Sequence, residues 1–334
     1  MPKSPLQMKL DWQQELILAV TNPLELCRLL ELDPSLFKLS DRSIAQFQLK
    51  VPRGYVARMQ KGNPYDPLLR QVLPLAQEDQ TASGYSLDPL GEAQFNPISG
   101  LLHKYHGRVL LTLTGTCAIH CRYCFRRHFP YTENNPAQEW QNIFNYLEQD
   151  PSVSEVILSG GDPLTLNDRS LNAFSDALAK LPQIKRLRIH SRIPIVLPER
   201  ITPEFVSWLS GIKQKPVLVV HCNHPKEINE PVIQAMRALK VAGITLLNQS
   251  VLLKGVNDNL ETLVELSEAL FAAGVQPYYL HVFDRVQAAA HFDSDLQEVK
   301  TLYRQLSHRL PGYLVPKLAQ ENAGEKAKTI LGVL

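Results

Sequence analysis

The sequence predicts an α/β fold, an incomplete (βα)6-type barrel of the TIM kind, with a helical N-terminal extension and a C-terminal tail. Three observations predict it. From Gly107 onward, short β-rich runs alternate with longer amphipathic runs. Strand starts recur about every 30 residues after one longer first unit, the rhythm of a parallel sheet. Polar residues collect just after each strand, at the edge where barrel and open-sheet enzymes build their sites. Six units fall short of the eight of a closed barrel. Periodicity alone leaves a doubly wound open sheet as the alternative.

The elements follow in order. Residues 12–31 carry Trp12, Leu16, Ile17, Val20, Leu24, Leu29 and Leu30 at helical spacing, and Asn22-Pro23 divides them into two helices. Further helices are expected at Ser43–Lys50 and Tyr55–Gln60. The stretch from Asn63 to Gly100 is rich in proline, lacks periodicity and should wrap over a larger body. The predicted strands are Val109–Leu113, Val156–Leu158, Arg186–His190, Val217–Val220, Thr245–Asn248 and Pro277–His281. Two helices are well marked. Val232, Ile233, Met236 and Leu239 share a face ahead of Gly243, and Leu260, Leu263, Val264, Leu270 and Phe271 share another. The polar clusters are Cys117 to Cys124, Ser159 to Asp162, Ser191-Arg192, His221 and Asn223, Asn248-Gln249, and Asp284-Arg285. The organisation is then residues 1–100 as the extension, 101–312 as the barrel and 313–334 as the tail.

Composition narrows the function. The chain has 334 residues, 44% of them hydrophobic, enough for a sizeable core. Its net charge of +2 argues against disorder and against a polybasic surface for nucleic acid or membrane. No apolar run nears the ~20 residues of a membrane span. The apolar stretch Leu16 to Val20 is shorter than the roughly 7 residues of a secretory core. A soluble cytoplasmic protein is expected.

The cysteines carry the strongest chemical signal. Cys27 lies in a leucine-rich helical pattern and reads as packing, and Cys222 at a strand end could line a site. Cys117, Cys121 and Cys124 form a Cys-x3-Cys-x2-Cys triplet on the loop after the first barrel strand. Three thiolates can hold three irons of a [4Fe–4S] cluster, and a missing fourth ligand leaves one iron open. The alternative is a structural zinc with His120 or His128 as fourth ligand. A non-catalytic version of that reading would make Arg122, Arg126, Arg127 and His128 an RNA-binding patch.

The segment GTCAIHCRYCFRRHF (115–129) resembles the signature loop of the radical S-adenosylmethionine enzymes. LSGGDPL, RLRIHSRIPIVLPERIT, LLNQSVLLKGVND and GYLVPKLAQENAGEKAKT extend the resemblance to the lysine 2,3-aminomutases. The closest likeness is to the short bacterial branch that makes β-lysine for elongation factor P. It covers nearly the whole chain. It implies a [4Fe–4S] cluster on Cys117, Cys121 and Cys124, with S-adenosylmethionine on its open iron and against Ser159, Gly160, Gly161 and Asp162. Glycine there is expected to admit the cosubstrate close to the backbone. The resemblance further implies pyridoxal 5′-phosphate held on Lys328, with Lys326 as the fallback, and Arg108 at its phosphate with Lys104 as a helper. Arg126 would grip the substrate carboxylate, and Asp284 with Glu321 its distal ammonium. Glu321 stands where the longer enzymes have aspartate. Those enzymes also continue with a zinc-binding and assembly segment beyond the matched region.

The implied reaction moves the amino group of free L-α-lysine from C2 to C3 by a 5′-deoxyadenosyl radical, giving (R)-β-lysine. The implied partners are a flavodoxin or ferredoxin as electron donor and a lysyl-tRNA-synthetase-like ligase for elongation factor P.

Overall fold

Among the described residues, nine strands make one sheet, and their spatial order is their chain order. The computed structural model describes residues 11–131 and 140–332. The strands are β1 (Leu101–Tyr105), β2 (Arg108–Thr114), β3 (Glu155–Gly160), β4 (Arg186–Ser191), β5 (Lys215–Val220), β6 (Thr245–Val251), β7 (Gln276–His281), β8 (Lys317–Gln320) and β9 (Thr329–Ile330). β2 to β8 run parallel, and β1 and β9 are antiparallel edges. A doubly wound sheet must reverse its strand order at a switch point. This order never reverses, so that alternative falls. All six predicted strands are present, and the tail contributes β8 as a seventh parallel strand.

Short helices precede the sheet: α1 (Trp12–Ile17), α2 (Pro23–Leu29), α3 (Asp41–Gln46), α4 (Arg53–Val56) and α5 (Pro67–Arg70). The Asn22-Pro23 break is a helix start. The Asn22 side chain accepts from the Leu24 and Glu25 amides, and Pro23 follows where no amide is needed. The helix expected at Ser43–Lys50 starts earlier because Ser40 caps it, and it ends where the backbone turns extended at Phe47. The one expected at Tyr55–Gln60 shrinks to α4. The proline-rich stretch does not merely wrap: Leu68, Leu69, Val72 and Leu73 are buried in the same core as the barrel strands.

The barrel helices are α6 (Trp140–Gln149), α7 (Asp168–Leu178), α8 (Ile193–Val196), α9 (Pro203–Gly211), α10 (Glu230–Val241), α11 (Leu260–Ala272) and α12 (Leu296–Arg309). Alternation along the strands separates two faces. Val109, Leu111, Val156, Leu158, Leu187, Ile189, Leu218 and Val220 pack in one cluster with Ile143, Phe174, Phe205, Met236 and Leu266 of the helices. The alternate positions face the lumen; Arg108, Ser159, Arg188, His190, Gln249 and His281 are polar there, beside apolar Leu110, Ile157, Val217 and Val219. Helix α11 buries Leu263, Leu266 and Leu270, while Phe271, expected on that face, is exposed.

Among the described residues, no strand ladder closes the barrel. Its two ends meet through side chains. Lys104 on β1 donates to Glu321 Oε1 at 3.1 Å and to the Asn322 carbonyl at 3.3 Å, just beyond β8. Among the described residues, no helix is long and apolar enough to cross a membrane.

Candidate active site

The loop after β2 carries Cys117, Cys121 and Cys124, all partly accessible. Burial raises the Cys117 thiol, and the neighbouring cysteines raise it further. Burial likewise brings Cys124 up to about 11. The N-terminal extension cradles this loop. The amides of His120 and Arg122 donate to the Lys50 and Gln71 carbonyls, each at 2.9 Å. Glu78, fully buried, pairs with both Arg122 and Arg127. Arg122, Arg126 and Arg127 are all buried, so they form no surface patch for RNA. Among the described residues, no three His, Cys, Asp or Glu side chains are grouped to hold a single metal ion. Both imidazoles weighed as a fourth zinc ligand face backbone carbonyls, His120 that of Gln48 at 2.7 Å and His128 that of Gln287 at 3.3 Å. Three cysteines without a fourth ligand suit a four-iron cluster with one open iron.

The glycine motif ends β3 against this loop. A Cβ on Gly160, at φ +108°, would lie 2.9 Å from Thr112 Cα and from the Thr114 carbonyl. A Cβ on Gly161 would lie 2.5 Å from the Thr116 carbonyl. The close seating of β3 on the start of the cysteine loop by itself requires glycine at both positions. Asp162 is buried and fully engaged. It accepts from Leu164 N and Ser191 Oγ on one oxygen, and from Arg192 N and Ile193 N on the other. Burial pushes its carboxyl up to about 6 against those donors. Its structural work is to tie the end of β3 to the end of β4.

Arg126 lies beside Ser159, donating to its hydroxyl at 3.0 Å. Its Nε and Nη2 hold both oxygens of Glu92 at 2.7 and 2.6 Å, a bidentate carboxylate contact. Nothing in the sequence singled out Glu92. It arrives on the segment that crosses the barrel mouth, stitched to the loop after β7 by the Ser86–Arg285 and Gln287–Ser86 backbone bonds.

The tail forms a hairpin of β8 and β9, with Gly324 at φ +81° in its turn. Lys328 immediately precedes β9 and pairs with Glu321. Burial alone would raise the Glu321 carboxyl, but Lys328 and Lys104 outweigh it and hold it at about 2. Half-buried Asp284 shares this field. Burial raises it to about 7, with Lys328 opposing and Glu321 and Glu92 adding to the rise. Lys328 also bears on His190 and His281, whose burial holds them neutral, His281 at about 3. Arg108 lies over the Tyr105 ring at 4.7 Å. The structure thus gathers Arg126, Asp284, Glu321 and Lys328 at one end of the lumen. Lys326, the fallback, is exposed in the hairpin turn. Cys27 and Cys222 are fully buried in the core.

Two lumen groups on β4 are buried without a partner among the described residues, Arg188 Nε and His190 Nε2. Buried polar atoms are normally satisfied, so these two mark space for a polar ligand. Comparison with known proteins agrees. The Radical SAM superfamily pattern matches residues 111–267. The L-lysine 2,3-aminomutase of Escherichia coli is 52% identical over 323 residues, covering 96% of this chain and 94% of that one. The chain belongs to the L-lysine 2,3-aminomutase family. The Haemophilus influenzae L-lysine 2,3-aminomutase is 44% identical, covering 99% of this chain and 98% of its own. The Clostridium subterminale L-lysine 2,3-aminomutase is 35% identical and longer, so that 77% of it is covered.

As a member of this family the chain is an isomerase that uses a [4Fe–4S] cluster, S-adenosylmethionine and pyridoxal phosphate. The donor set fits all three. Besides Glu92, sequence reasoning missed Glu78, Gln71 and Glu227, and it marked Arg192 and Asn223 as polar residues at strand ends without joining them into one buried network behind the cysteine loop. A buried Glu opposite two arginines leaves no local pattern.

Proposed function

We propose that this enzyme converts free L-α-lysine to (R)-β-lysine in the cytoplasm, supplying it for modification of elongation factor P. The observation that carries this reading is the charge arrangement at the barrel mouth. An arginine lies on one side, and Asp284 and Glu321 lie on the other around Lys328. A substrate with a carboxylate at one end and an ammonium at the other matches that arrangement. When bound, the cluster with S-adenosylmethionine supplies a carbon radical, and pyridoxal phosphate carries the migrating amino group.

The chain's own residues do the rest. Cys117, Cys121 and Cys124 hold the cluster, while Ser159 and the Gly160–Asp162 turn form the floor beside it for S-adenosylmethionine. Arg126 binds the substrate carboxylate through the edge that Glu92 leaves open, and Ser159 and Glu92 fix its orientation. Asp284 and Glu321 receive the distal ammonium. Holding both ends sets which carbon faces the radical source, which is orientation catalysis. Lys328, now paired with Glu321, would hold pyridoxal phosphate. Arg108, with Lys104 and Tyr105, takes the phosphate. The segment carrying Glu92 closes the mouth and excludes water. The organisation is an extension (1–100), a barrel (101–312) and a cofactor-binding tail (313–334), reduced by a flavodoxin or ferredoxin. A lysyl-tRNA-synthetase-like ligase for elongation factor P would use the product.

The test is anaerobic turnover of a panel of amino acids with S-adenosylmethionine and dithionite, with products resolved by chiral chromatography. Lysine should be the main substrate and (R)-β-lysine the product. Faster conversion of an amino acid with an uncharged or acidic side chain would overturn the reading and favour a radical aminomutase for another amino acid.

A further inference from the structure

Behind the cysteine loop lies a buried polar network with no role in the scheme above. Its centre is Arg192, just after β4 and 5% exposed. Its Nη2 donates to the Tyr55 hydroxyl at 3.2 Å, to Gln71 Oε1 at 2.7 Å and to Glu227 Oε2 at 3.1 Å. Its Nη1 points the other way, onto Cys121 Sγ at 2.6 Å. Gln71 and Glu227 are fully buried, and Asn223 bonds to both as well as to the Tyr123 hydroxyl. The rings of Tyr55 and Tyr123 flank the guanidinium at 5.6 and 5.5 Å. Tyr55, Gln71 and Glu227, from three separate stretches of chain, thus hold one cation against one sulfur.

Such an arrangement is expensive unless the charge does something. A buried guanidinium loses its hydration, and Glu227 offsets only part of that. Packing does not require the charge to face a cysteine. Hydrogen bonds to cluster sulfurs and nearby charge are two main levers by which a protein sets an iron–sulfur potential. Reduction adds negative charge to the cluster and its thiolates, and a fixed N–H donor on Sγ stabilises that charge more than the oxidised form.

We propose that Arg192 is a positioning residue that raises the reduction potential of the cluster through its bond to Cys121. This rests on the assignment of Cys121 as a cluster ligand. One electron enters the cluster from the external donor, and no proton or bond changes hands at Arg192. Glu227, Gln71 and Tyr55 keep the donor aimed at the sulfur.

The test is an anaerobic redox titration of the reconstituted enzyme by electron paramagnetic resonance, without S-adenosylmethionine. Iron and sulfide are counted on the same samples. Arg192→Met alone would leave Glu227 buried and unpaired, so the informative variant is Arg192→Met with Glu227→Gln, which keeps the net charge. In it the ratio of reduced to oxidised cluster at a fixed potential should fall about tenfold, a shift of about 59 mV for one electron. Arg192→Lys, which keeps a cation, should recover at least half of that shift. A fully loaded double variant whose ratio stays within threefold of wild type would overturn the proposal. So would a double variant that folds but cannot retain the cluster, because Arg192 would then only support the loop. A wild-type chain that takes up no four-iron cluster would instead defeat the ligand assignment beneath it.

Discussion

The cysteine loop and the tail hairpin both serve the site, yet they are built in opposite ways. The loop is enclosed. Arg122 and Arg127 share Glu78, Arg126 holds Glu92, and Asp162 anchors the neighbouring turn with four donors. The tail lies at the end of the sheet. β9 has two residues and one neighbour, and Lys328, a quarter exposed, pairs with Glu321 across the hairpin turn. A cluster that must keep one open iron gains from ligands fixed in advance. A lysine that must exchange its partner for a cofactor gains from an ion pair that is formed but replaceable. The difference teaches where pre-organisation is placed: in the loop it is built by the extension, and in the tail it awaits the ligand.

The largest expected effect separates the two regions cleanly. Alanine at Cys117, Cys121 or Cys124 should remove nearly all cluster iron and all turnover while leaving pyridoxal phosphate bound. If iron stays bound at wild-type levels, the loop is not the cluster site. Lys328→Ala should do the converse, abolishing the cofactor's visible absorbance with iron intact, whereas Lys326→Ala should keep it. An unchanged spectrum in Lys328→Ala would move the role elsewhere.

Breaking the loop's support comes next. Glu78→Ala strands two buried guanidinium groups and should cost about 3–5 kcal/mol of stability. It should also hasten loss of iron, while the tail keeps its cofactor affinity. Thermal unfolding and iron release would measure both, and a variant as stable as wild type would contradict the account of the cradle.

Asp284 gives a pH signature. Its carboxyl, raised to about 7 in the free enzyme, must be ionised to hold an ammonium. Below about 7 the protonated form grows and kcat/KM for lysine should fall, approaching tenfold per pH unit. Stability has the opposite sign. The raised folded value means that the stability gained from neutral Asp284 is present at low pH and declines as pH rises from the unfolded value toward 7. Asp284→Asn should weaken lysine use by about 100-fold and flatten the acidic limb, with S-adenosylmethionine cleavage nearly unchanged, an effect of about 2.7 kcal/mol. Parallel loss of both activities would undo its role at the substrate. The smallest effect is expected from Glu321→Asp, a few-fold rise in KM, since Lys104 and Lys328 still hold its charge.

The same contrast explains what the sequence could show. The parallel strands were legible because each is a local apolar run bounded by turns. The cysteine triplet was legible because its spacing is short. β8 and β9 were not, because four and two residues make no pattern and their pairing is tertiary. Glu92 and Gln71 were hidden because their partners Arg126 and Glu227 lie 34 and 156 residues away in the chain. A packing reason for Gly160 was hidden because the neighbour that forbids a side chain is the backbone of β2, which only the sheet brings close. Residue types foretold the chemistry, and the fold decided which charges already had partners.

The most direct measurement of the central claim is borohydride reduction of the anaerobically purified enzyme, followed by peptide mapping and an iron and sulfide count on the same sample. The account predicts one pyridoxyl group on Lys328 together with about four irons per chain. A pyridoxyl group on another lysine, or a chain that carries zinc and no iron after reconstitution, would contradict it.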